Sequence, residues 1–238
     1  MEDIVQHVLK ALKTEGDEKI RKSSQRFFKE PIPSYGIKAA SVTRIGKKYF
    51  PHSSTKAEIF TFCEALWQSG YLEATFIACN WSYALRKQYV VEDFSVFERW
   101  INQYVNNWAS CDTLCNHTVG AVIEMYPEKI SRLKFLATSG NRWMRRASAV
   151  SLIVPARKGK FLNDIFAIAD LLLNDPDDMV QKGYGWMLKV ASQRHESEIF
   201  SYVMKNKNAM PRTALRYAIE KMPDALRRAA MTKNQSID

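Results

Sequence analysis

Apolar residues return with the period of an α-helix along nearly all of this 238-residue chain, and no segment carries a credible strand alternation. In "IVQHVLKAL" they fall at Ile4, Val5, Val8, Leu9 and Leu12, the i, i+3, i+4, i+7 stripe of a helix with one buried face. "AEIFTFCEALWQSG" repeats the pattern and is stopped by Gly70. "FSVFERWINQYV", "ISRLKFLATSG", "WMRRASAVSLIV", "LNDIFAIADLLLND", "DMVQKGYGWMLKVAS" and "SEIFSYVMKN" continue it. "QYVVEDFSVF" has β-branched residues, but its acids and the stripe Phe94, Phe97, Trp100, Ile101 fit a helix better. Breaks are expected at Pro31, Pro33, Pro51, Gly70, Pro127, Gly140, Pro155, Asp175-Pro176 and Pro211. The rhythm, about one helix per 18 to 20 residues, predicts an all-α superhelical solenoid of paired antiparallel helices. A globular helix bundle is the alternative.

The formal charge of +10 is unevenly spread. Lys19 to Lys56 holds ten Lys/Arg and one acid, Glu30; Glu128 to Lys160 holds nine and again one acid, Glu128. Between them, Ala57 to Val105 has six acids against three bases. Basic segments that return at intervals suggest a surface tracking a polyanion, with plain solubility as the bland alternative. No run of about 18 apolar residues exists, so no transmembrane helix is expected. The amphipathic "MEDIVQHVLKALK" argues against a signal peptide, and the cytoplasm is expected. Cys63, Cys79, Cys111 and Cys115 read as reduced structural thiols. Cys111 and Cys115 share a helical face, but His117 lies on another, so no metal site is expected. One domain is expected over residues 1–230, with a flexible tail at 231–238.

Trp108 and Asp112 stand four apart in "WASCD", one turn on one helical face. Arg146 in "RWMRRASAV" and Trp186 in "KGYGWMLKV" complete a set of two indoles, one carboxylate and one guanidinium, which can converge on one groove if all three segments are helical. Gly183 and Gly185 lower helix propensity around Trp186, consistent with a close approach of backbone or ligand. Trp143, in register with Ala147 and Val150, reads as packing, as do Trp67, Trp81 and Trp100.

From Trp108 onward the chain resembles the DNA alkylation repair enzyme family, the AlkD-type glycosylases. The resemblance rests on "NNWASCDTLC", "NRWMRRASAV", "DMVQKGYGWMLKV" and "MPRTALRYAIEKMP", in the family's order and spacing and over about half the chain. It implies HEAT-like repeats with a concave basic groove around duplex DNA. It also implies hydrolysis of the N-glycosidic bond of cationic N-alkylated purines such as 7-methylguanine and 3-methyladenine. Asp112 would stabilise the sugar cation and deliver water, ionised among nearby cations. Trp108 and Trp186 would meet the cationic nucleotide, with an attraction of about 0.5–2 kcal/mol. Arg146 would clamp phosphate, with Arg142, Arg145, Lys182 and Lys189 as further phosphate contacts. No metal or organic cofactor is implied, because the alkylated base is already a good leaving group; a monomer acting on DNA is expected.

Two positions depart from the family's pattern. Phe27 and Phe28 stand where a DNA-contacting tyrosine can occur, so Phe27 could keep an aromatic contact without the hydroxyl. Lys189 replaces a frequent arginine, reducing a bidentate contact to a point charge. The competing readings are a non-catalytic DNA-binding relative and a protein-interaction scaffold. A hydrolase using Cys111 or Cys115 is more distant, since no positioned His–Cys pair can be argued.

Overall fold

Asp17, Thr55, Asn107, Asn141 and Asp177 cap helix starts with short polar side chains, because the first N–H groups of a helix have no partner within it. Thr55 and Glu58 form a reciprocal capping box: the Glu58 N–H donates to Thr55 Oγ1 at 3.3 Å and the Thr55 N–H to Glu58 Oε2 at 2.7 Å. Asp17 accepts the N–H groups of Lys19 and Ile20 in the same way. The computed structural model describes residues 2–232, which are all-helical apart from their connections. The expected all-α class is therefore observed.

The chain divides after Leu114 into two units. The first contains α1 (Glu2–Thr14), α2 (Glu18–Gln25), α3 (Ala39–Lys48), α4 (Lys56–Gln68), α5 (Leu72–Ala84), a 3-10 turn at Arg86–Gln88, α6 (Asp93–Tyr104) and α7 (Trp108–Thr113). α5 is its hub, packing on α1, α3, α4 and α7. It is buried nearly all round, which explains a segment with no polar face to read. Phe60, Phe97, Trp100 and Trp67 form one aromatic cluster, with ring centroids 5.5 to 6.4 Å apart. Trp67, Trp81 and Trp100 are all core residues, as their spacing predicts. Gly70 ends α4 in the left-handed conformation (φ 74°) that its stop signal requires.

A π-helix, Leu114–Val119, follows α7. The second unit continues with α8 (Gly120–Met125), a 3-10 turn at Pro127–Lys129, α9 (Ile130–Leu136), α10 (Arg142–Val150), α11 (Ile153–Arg157), α12 (Leu162–Leu171), α13 (Asp178–Ala191), α14 (Glu196–Asn206), α15 (Arg212–Ile219) and α16 (Asp224–Met231). Here α13 is the hub, against α10, α11, α12 and α15. Gly185 makes the α13–α15 approach possible: a Cβ there would lie 2.7 Å from Tyr217 Cβ and 2.8 Å from the Ala214 carbonyl oxygen. The Tyr184 hydroxyl donates to the Leu173 carbonyl at 3.0 Å, anchoring α13 to the start of the preceding loop.

Pro155 does not fall in a break. It lies within α11, in a first turn whose N–H groups need no helical acceptor, and the interruption comes earlier, at Ser151–Leu152. "WMRRASAVSLIV" is accordingly two helices. Residues 233–238 of the expected tail lie outside the described residues.

Candidate nucleic-acid interface

Asn107 caps α7 by accepting the Ser110 N–H at 2.9 Å, and so fixes where the helix begins. That start puts Trp108 in the first turn and Asp112 one turn later, both half-buried. The Trp108 indole is held at two places. Its Nε1–H donates to the Phe27 carbonyl at 3.1 Å, and its ring stacks on Phe28 with centroids 5.7 Å apart. Phe27 keeps its own side chain 73% exposed beside this contact. The role of Phe28 is absent from the sequence reading, because a stacking partner eighty positions upstream leaves no trace in local periodicity.

In the second unit, Asn141 caps α10 by accepting the Trp143 N–H at 2.9 Å. Trp143 is buried, as its packing register predicts. Arg146 is also buried, only 5% exposed, and its Nη1 donates to the Met179 carbonyl in the first turn of α13. Its side chain lies over Gly183, where a Cβ would stand 3.2 Å from Arg146 Cγ and 3.4 Å from Nη1. The glycine leaves the room in which the guanidinium lies against α13. Trp186, half-buried, is three residues further along the same helix.

The remaining basic candidates each have an acid beside them. Arg145 bonds Asp175 at 2.6 Å and the carbonyls of Ser139 and Gly140, and this pair is largely buried. That geometry makes Arg145 a brace between the loop before α10 and the loop before α13. Arg142 meets Asp177 at 3.4 Å with its guanidinium over the Trp143 ring, and Lys182 meets Asp178 at 3.1 Å. Lys189 meets Glu220 at 2.9 Å and lies over the Tyr217 ring. Solvent reaches at least one partner in each of these three pairs, so they are weak and can be exchanged for another anion.

Cys111 and Cys115 are fully buried and His117 is exposed. Among the described residues no three His, Cys, Asp or Glu side chains gather as metal ligands. No helix among them is long and apolar enough to cross a membrane.

The family model described as DNA alkylation repair enzyme matches residues 8–222, spanning both units and every candidate site residue. The chain belongs to that family. The resemblance carried by the Trp108, Arg146 and Trp186 segments is thereby borne out and extends through the N-terminal half. Among solved structures, the chain is similar to a "Predicted DNA alkylation repair enzyme from Enterococcus faecalis", with a TM-score of 0.79 at 15% identity over 88% of this chain and 98% of that one. At that identity the likeness speaks for the fold alone. No curated protein matches the chain. Membership implies a role in the repair of alkylated DNA, with DNA as the partner.

Proposed function

We propose that this member is a monofunctional glycosylase that excises cationic N-alkylated purines, 7-methylguanine and 3-methyladenine among them, from duplex DNA. The observation that carries the reading is the pair Trp108–Asp112: an indole fixed by Phe27 and Phe28, with a carboxylate one turn on, in a chain of this family. Cleavage of the C1′–N bond sends the bonding pair to the base and cancels its positive charge. The sugar is left as an oxocarbenium-like cation. Asp112 stabilises that cation and directs a water oxygen to C1′, taking up or passing on the water's proton. At an effective dielectric near 20, a unit charge about 4 Å from the carboxylate is worth about 4 kcal/mol. Trp108 and Trp186 offer aromatic faces to the cationic nucleotide, a contact that strengthens with desolvation.

Arg146 binds a phosphate oxygen, its position set by Met179 and Gly183. Arg142, Lys182 and Lys189 exchange their own carboxylates for phosphates, and Phe27 makes an apolar contact with the DNA. The HEAT-like solenoid with a concave basic groove, a single domain over residues 1–230, a monomeric state and a cytoplasmic location belong to the same proposal.

The test is release of 7-methylguanine from methylated duplex DNA by the parent and by Asp112→Asn, with duplex affinity measured alongside. The substitution removes charge and keeps shape, so excision should fall by about 10²–10³ while binding persists. Equal excision by both proteins would remove Asp112 from the mechanism. Salt-sensitive binding without release by either would make the chain a non-catalytic DNA-binding member.

A further inference from the structure

A cleft of about 590 Å³ opens between the C-terminal ends of α3 and α5 in the first unit. Its size falls in the roughly 300–1,000 Å³ range of small-molecule sites. None of its lining residues belongs to the candidate excision set. Gly46, Phe50 and Trp81 form the floor. Phe50 stands edge-on to both neighbouring rings, 5.0 Å from His52 and 6.0 Å from Trp81. The Trp81 N–H is used internally, donating to the Gly46 carbonyl at 2.8 Å. Trp81 is only 2% exposed and stands 89° to Phe50, so the aromatic face open to a ligand is the half-buried Phe50 ring, and no indole hydrogen bond is offered.

Polar recognition falls to the rim. Thr43 and Asn80 each bring a group that both donates and accepts, Lys47 brings an ammonium and His52 an imidazole; all four are exposed. Among the described residues no hydrogen bond or ion pair engages these four side chains. No acid lines the cleft. Its α3 side, Thr43 to His52, belongs to the Lys19 to Lys56 segment, where ten bases face one acid. An aromatic floor suits a flat ring, the hydroxyl and amide suit the edge of a heterocycle, and an unpaired ammonium suits a phosphate.

We propose that this cleft binds an unpaired nucleotide, with its base on the Phe50 ring and its phosphate on Lys47. The site is independent of Asp112 and of base excision. Such a contact would give the protein a hold on a nucleotide displaced from a duplex or left in a single strand.

The probe is deoxyadenosine monophosphate, titrated into the full chain by calorimetry. Lys47→Glu should weaken binding by about tenfold, the scale of losing one close charge pair. Ala84→Trp, on the exposed rim, should fill the mouth and abolish binding. Lys205→Glu, on α14, makes the same change in net charge and should leave binding unaltered; thermal melts establish that all three variants fold. Displacement of the probe by a single-stranded oligonucleotide would identify the ligand as a nucleotide within a strand. Binding without displacement would identify it as a free nucleotide. No binding by the parent, or binding unchanged in both Lys47→Glu and Ala84→Trp, overturns the proposal. Because no lesion is present, failure here leaves the excision reading untouched, and the reverse also holds.

Discussion

Phe28 stacks on Trp108 with their planes 25° apart, while the backbone carbonyl of the adjacent Phe27 takes the indole N–H. One dipeptide of the α2–α3 connection thus fixes both the face and the edge of a ring from α7. A half-buried indole held only by its own helix turn would sample several rotamers. With these two contacts it is pre-organised, and that is worth most where an aromatic face must meet a substrate.

Phe28→Ala should therefore lower excision of 7-methylguanine by about tenfold while costing only about 0.5–1.5 kcal/mol of stability, the scale of an aromatic pair. Phe28→Tyr keeps the ring and should restore the rate. Single-turnover rates for both variants, beside urea denaturation, make the comparison. Parental turnover by Phe28→Ala would mean that Trp108 needs no such positioning.

Much of this was legible in the sequence. Periodicity and stop signals gave the helices, and the register of Trp67, Trp81, Trp100 and Trp143 gave their burial. The rest depends on long-range or backbone partners. The acceptor for Arg146 is the main-chain carbonyl of Met179, which no side-chain pattern encodes. The π-helix at Leu114–Val119 changes hydrogen-bond register while the apolar stripe runs on, so period alone passes over it. The acids facing Arg142, Arg145, Lys182 and Lys189 lie in the loop before α13, in α13 itself and at the end of α15; a count of charge along the chain cannot pair them.

Gly185 carries a strong stability prediction. Its missing Cβ faces backbone atoms of Ala214 and the Cβ of Tyr217, none of which can rotate away. Gly185→Ala should push α13 and α15 apart at a cost of about 1–3 kcal/mol. Gly140, with nothing within 4 Å of where a Cβ would stand, is the control. Gly140→Ala should be neutral or stabilising by about 0.4–1 kcal/mol through the unfolded state. Chemical denaturation of the two variants reads the contrast, and equal midpoints would refute it.

Glu73, only 3% exposed, is the keystone of the α2–α3 connection. Its carboxylate accepts the N–H groups of Tyr35 (3.0 Å), Gly36 (2.8 Å) and Ile37 (3.2 Å) and the Ser34 hydroxyl (2.7 Å). Glu73→Gln replaces one acceptor oxygen by an NH₂ that points donors at donors. The expected loss is about 2–3 kcal/mol. Amide hydrogen exchange at Tyr35, Gly36 and Ile37 should accelerate together, whereas a general loosening of α5 would spread the change along that helix.

Glu124 gives the acid limb of stability a local source. Burial works to raise its pKa, but hydrogen bonds and charge from Lys158 (2.7 Å) and Lys160 (3.1 Å) together outweigh that and hold it below the usual carboxylate value. A depressed folded-state pKa means that the stabilisation is complete above the ordinary range and fades as pH falls through the folded value. Both lysines are about half exposed, so the contribution at neutral pH is below about 1 kcal/mol. Glu124→Gln should lower the urea midpoint at pH 7 by that small amount and match the parent at acid pH, once the carboxyl is protonated. A gap that stays constant from neutral to acid pH would assign the effect to packing rather than to the ion pairs.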